Sequence, residues 1–120
     1  MTDEWDKGGI KKGLEYAILT DEIYKGWVGM NSREYKKLKG LHKENLRDNM
    51  SNMEMELNML AEATTTEIAK KEKPRGLSAH IRVAREGASV AGDARKKIES
   101  KTGKPVLTGR NAKSLKKITK

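Results

Sequence analysis

Apolar residues recur at helical spacing along most of the chain, and short polar or glycine-containing breaks divide them into segments. Ile10, Leu14, Ala17 and Ile18 predict a helix over 9–19, behind an acidic lead-in that closes on Gly8 and Gly9. Thr20 ahead of Asp21 and Glu22 has the chemistry of a helix start, because a hydroxyl caps free N–H groups and acids favour the positive end. A second short helix is therefore predicted to about Trp27, with a stop at Gly29. A third begins at Asn31 or Ser32, where Asn31 and Glu34 have capping-box spacing, and ends at Gly40. Residues 41–49 are polar and read as a loop or one helical turn.

Two longer helices follow. Ser51 and Glu54 make a capping box at the head of 52–72, whose predicted stripe is Met53, Leu57, Leu60, Ala61, Thr64 and Ile68. Thr64–Thr66 in mid-helix calls for a bend or a close helix contact. Pro74 and Gly76 end this helix, and 77–101 carries Leu77, Ile81, Ala84, Ala88, Ala91 and Ile98. Glycine inside a helix costs about 1 kcal/mol against Ala. Gly87 and Gly92, with Ala88 and Ala91, therefore predict a thin face that lets a neighbouring backbone come close. The reading is all-α: a compact orthogonal bundle of about five helices in one domain, 1–105, two long (52–72 and 77–101) and three short. Residues 106–120 form a basic tail that need not be ordered.

Charge changes this picture more than composition does. The 120 residues include no Phe and no Cys, so Leu, Ile, Met and Ala fill a modest core without disulfides. The formal charge is +9, yet residues 1–30 carry −2, residues 31–73 carry +1, and residues 74–120 carry +10. A basic block of this kind suits nucleic acid, an acidic protein or an anionic surface, and equally a solvated face. No apolar run approaches the ~20 residues of a membrane helix. Residues 1–15 have no secretory apolar core, so a bacterial cytoplasm and no membrane partner are expected.

Catalysis finds little support. His42 and His80 lie in different segments and read as surface histidines, no set has metal-ligand spacing, and no glycine-rich phosphate cradle is present. No catalytic residue, metal, cofactor or small-molecule substrate is assigned. Two basic sets are candidates for nucleic acid. In the first, residues 21–39 fit a helix-turn-helix about Gly29, with Tyr24, Val28, Met30, Tyr35 and Leu38 at the apolar positions and Lys25 where a small residue is usual. Arg33, Lys36 and Lys37 would then face a DNA groove; any two amphipathic helices joined at a glycine give the same pattern. The second set is Arg82, Arg85, Arg95, Lys96, Lys97 and Lys101, part of which the helix dipole alone explains. Met55 and Met59 fall off the main stripe and are the candidate face for a partner or a second copy in a homodimer.

The stretches Glu15–Ile23, Tyr35–Leu41, Glu44–Met50, Leu57–Ile68 and Val83–Gly87 are long and in order. Together, from about Asp3 to Asn111, they resemble the C-terminal domain of DNA-damage-inducible protein D and related BRO-family, phage-antirepressor-type proteins. The resemblance implies a non-enzymatic role in the SOS response, acting on RecA-coated DNA and restraining recombination. It maps no residue to that role. The BRO-type domain that usually precedes this region is expected to lie outside the chain, and any DNA-binding or antirepressor role of that domain is not carried over.

Overall fold

The structure, a computed structural model, describes residues 2–109 and 111. Among the described residues there are five α-helices, one 3-10 turn and no strand: α1 (Thr2–Lys7), α2 (Leu14–Trp27), α3 (Ser32–Leu38), the turn Arg47–Asn49, α4 (Asn52–Glu72) and α5 (Gly76–Thr102). The two long helices lie where the apolar spacing put them. Both capping boxes form, Asn31 with Glu34 and Ser51 with Glu54.

The N-terminal third differs from the sequence reading. The acidic lead-in is a helix, held by Trp5, which is buried edge-on against Tyr16 at 5.0 Å between ring centres. Ile10 is buried in a loop, and Thr20 starts nothing: α2 runs through it to Trp27. Leu19, Ile23 and Trp27, spaced by four, are all buried. Continuing the helix buries this stripe, which outweighs the local capping preference of one exposed threonine. The α4 stripe is also rotated from the predicted one. Glu54, Leu57, Asn58, Ala61, Thr65 and Ala69 are buried, whereas Met53 and Leu60 are exposed.

α5 is the axis of the bundle, packed against α2 on one side and α4 on the other. The thin face allows this. A Cβ on Gly87 would sit 2.6 Å from the Thr65 backbone, so the middle threonine of the Thr64–Thr66 run marks a close helix contact. On the α2 side a Cβ on Gly92 would lie 2.6 Å from the Gly26 carbonyl oxygen, and one on Gly26 would lie 2.4 Å from the Ala88 Cβ. Between the helices the rings of Tyr24, Trp27 and Tyr35 meet edge-on, and the Trp27 indole donates to Asn58 Oδ1 at 3.1 Å.

His80 is buried rather than superficial. Its Nε2 lies 3.1 Å from the Pro74 carbonyl, so that nitrogen carries the proton and donates. Gly8 packs against the imidazole so closely that a Cβ there would overlap Nε2, and the Gly8 carbonyl accepts from Gly76 N at 2.9 Å. Burial pushes the His80 imidazole below its ordinary value of 6.5, against opposing effects of the Pro74 bond and Glu4. The unfolded chain therefore takes up a proton at a higher pH than the fold does. This contribution is complete above about pH 6.5 and shrinks as pH falls towards the folded value. Urea midpoints measured either side of about pH 6.5 should drop more on acidification for the wild type than for His80→Gln. Equal drops would contradict the burial.

Candidate nucleic-acid interface

α2 ends at Trp27, and Gly29 turns the chain at φ 86°, a left-handed conformation that suits glycine. The Asn31 side chain then accepts from Glu34 N at 2.9 Å, and Ser32 N donates to Asp21 at 3.0 Å, which fixes α3 against α2. Tyr24, Val28 and Tyr35 are buried and Met30 packs on the core, so four of the five apolar helix-turn-helix positions face inward. Leu38 is 43% exposed. Lys25 is exposed and lies 3.9 Å from Glu22, so the small-residue position is not in the packed seam.

The polar side of α3 and the segment after it form a shallow groove of about 630 Å³, lined by Ser32, Arg33, Lys36, Lys37, Leu41, His42 and Lys43. Lys36 also borders a second depression, which reaches Tyr24, Asn45 and Arg47. Among the described residues no carboxylate pairs with Arg33, Lys36, Lys37 or Lys43, while Arg47 is bound to Glu62 at 3.2 Å. Lys36 and Lys37 occupy the last turn of α3, where the dipole favours cations. Arg33 is near the opposite end, so the dipole does not explain it. His42 and Lys43 were not legible, because 41–49 has no periodicity to place it; a lysine beside a histidine just past a helix end was the only signal.

The arginines of α5 are engaged elsewhere. Arg82 binds Glu72 at 2.9 Å and Glu86 at 3.0 Å. Arg85 holds both oxygens of Glu22, at 3.0 and 3.2 Å, and so ties α5 to α2. Arg95 donates to the Trp27 carbonyl at 2.8 Å, closing the C-terminal end of α2, and to Glu99. Lys96, Lys97 and Lys101 are exposed, and Lys96 lines a separate depression with Lys25 and Arg95. The structure thus gathers Arg33, Lys36 and Lys37 into one place and does not join the α5 set to them. Met55 packs against the core, whereas Met59 is 54% exposed.

Beneath α3 lies a charged cluster that sequence reasoning missed. Lys39 Nζ is 2.7 Å from Glu54 Oε1, and both side chains are fully buried. Tyr35 donates its hydroxyl to Glu54 Oε2, and Ser51 N donates to Oε1 at 2.9 Å. Burial first, and then the bond to Glu54, push the Tyr35 phenol up, which keeps it a donor. Lys39 Nζ also donates to the Thr108 carbonyl at 3.0 Å. Val106 is buried as well, so packing continues past 105, where the sequence reading ended the domain. The tail residues 110 and 112–120 lie outside the described residues.

Among the described residues no group of three or more potential metal ligands occurs, and no helix is long and apolar enough to cross a membrane. No curated protein and no solved structure matches the chain. The family model for the DinD C-terminal domain matches residues 1–118, essentially the full length. An all-helical bundle with that match across it is a member of one family: the chain belongs to the DinD C-terminal domain family.

Proposed function

We propose that this domain is a non-enzymatic regulatory module that binds the DNA of recombinase filaments, or the filament through its DNA, in the SOS response. The observation that carries it is the α3 groove, whose cations have no carboxylate partner among the described residues while the α5 arginines do. Its setting rests on the DinD family and on the resemblance to DNA-damage-inducible protein D. The groove is suited to phosphates. Single-strand binders commonly stack bases on exposed aromatics. Here both tryptophans, Tyr24 and Tyr35 are buried, Tyr16 is half-buried with its hydroxyl on Asp6, and the chain has no Phe. Contacts of this kind hold the backbone without reading bases, so the module would act anywhere along a filament.

A helix-turn-helix of a phage regulator is the second reading. The turn at Gly29 and the inward-facing Tyr24, Val28 and Tyr35 favour it, and it uses the same three cations. It differs in demanding sequence preference. Binding of labelled DNA of several sequences, bare and RecA-coated, across a salt series separates the two. The filament reading expects binding that is blind to sequence, at least as tight on coated DNA, and steeply salt-dependent, with a log–log slope of about −3 to −4 for four phosphate contacts. A strong preference for one duplex sequence would favour the regulator. Salt-indifferent binding, or none to either form, would sink both.

A further inference from the structure

Beside the α3 groove lies a recess of about 260 Å³, where α2, α3 and the 41–49 segment meet. Ser32 and Lys36 line both the groove and the recess. Thr20 and Tyr24, one turn apart, come to it from α2, and Asn45 and Arg47 from the segment ahead of α4. Tyr24 is 6% exposed, with its ring edge-on to Tyr35 at 5.8 Å between ring centres. A buried tyrosine ordinarily finds a partner for its hydroxyl. The other two tyrosines do: Tyr35 donates to Glu54 and Tyr16 to Asp6. The Tyr24 hydroxyl has no hydrogen-bond partner among the described residues, yet it is not sealed in the core. It opens on the recess. Burial, and then Glu62, push the Tyr24 phenol up to about 12, so it keeps its proton and is a donor. The two carboxylates that act on it are already engaged. Arg47 holds Glu62 at 3.2 Å, and Asp21 accepts from Ser32 N at 3.0 Å. The recess thus adds a neutral hydrogen-bond donor to the edge of a cationic groove.

We infer that the recess is a second contact on the strand that the α3 groove holds: the Tyr24 hydroxyl donates to a sugar–phosphate oxygen next to the phosphate on Lys36. The inference rests on the α3 groove being a DNA surface. Tyrosine hydroxyls, like those of serine and threonine, commonly donate to backbone oxygens, and such contacts fix where a strand lies without reading its bases. The cations of α3 supply attraction along the whole strand, and the recess sets its register on the protein.

The test compares the wild type, Tyr24→Phe and the Arg33→Ala, Lys36→Ala, Lys37→Ala variant. Each is titrated onto two labelled duplexes of unrelated sequence across a salt series. Tyr24→Phe keeps the ring and every charge, and breaks no hydrogen bond among the described residues. Its urea midpoint should match that of the wild type. Binding should weaken about 3-fold to 10-fold on both duplexes, the worth of one hydrogen bond. The salt slope should not change, because no cation is lost. If Tyr24→Phe binds like the wild type while the α3 variant loses affinity, the recess contact is wrong and the groove reading stands. If the α3 variant binds like the wild type, both fail. A loss confined to one sequence would mean a base contact, and a loss that comes with a lowered urea midpoint would be structural; either result overturns the inference.

Discussion

Glu54→Ala is expected to lower stability by about 3–5 kcal/mol, because it leaves the Lys39 ammonium buried without its counter-charge. The same carboxylate accepts from Tyr35 and closes the α4 capping box, so Lys39, Tyr35 and Ser51 N lose a partner together. A domain of this size has about 5–15 kcal/mol in total, and the variant should stand near the edge of unfolding. Tyr35→Phe removes one hydrogen bond and should cost about 1–3 kcal/mol. Lys39→Met should also destabilise, and it releases the Thr108 carbonyl. Urea unfolding followed by fluorescence of the buried Trp27 gives the ranking. A loss below about 1 kcal/mol for Glu54→Ala would mean that water reaches the pair.

Gly87→Ala should destabilise although it improves helix propensity by about 1 kcal/mol. The added Cβ would meet Thr65 Oγ1 at 2.1 Å and the Thr65 Cα and N at 2.6 Å. The hydroxyl can rotate, but the backbone atoms cannot clear the space unless α4 and α5 separate. Overpacking of this kind costs about 1–3 kcal/mol and occasionally more, so the net result is a loss. Replacing the exposed Ser89 by Ala on the same helix should change little. A gain in stability for Gly87→Ala would contradict the close approach of the two helices.

The features that could be read in the sequence are those set by neighbours along the chain. Both capping boxes form because cap and acid lie three residues apart. The glycines of α5 announced a close contact because their helix cost needs a packing reason. Thr20 misled because a local cap preference says nothing about the tertiary face that carries α2 past it. α1 was missed because six residues with one buried Trp show no period. The charged core could not be read at all: Lys39 meets Glu54 from the next long helix and Thr108 from far down the chain, and lysine is rarely fully buried. The same holds for Arg85, whose partner Glu22 lies 63 positions away. Its charge is visible in the sequence, but its prior engagement is not. The α3 cations were legible as a helical set, and their lack of carboxylate partners among the described residues appeared only in three dimensions.

On the proposed function, α3 rather than the basic face of α5 meets the DNA. The direct measurement is duplex binding at fixed low salt by the wild type, by the Arg33→Ala, Lys36→Ala, Lys37→Ala variant, and by an Arg82→Ala, Arg85→Ala variant. The α3 variant should lose about 10-fold to 100-fold in affinity, with a salt slope shallower by about 3. The α5 variant should bind within about 3-fold of the wild type, because its guanidiniums already hold Glu72, Glu86 and Glu22. The reverse ranking would put the DNA on α5 and contradict the α3 interface.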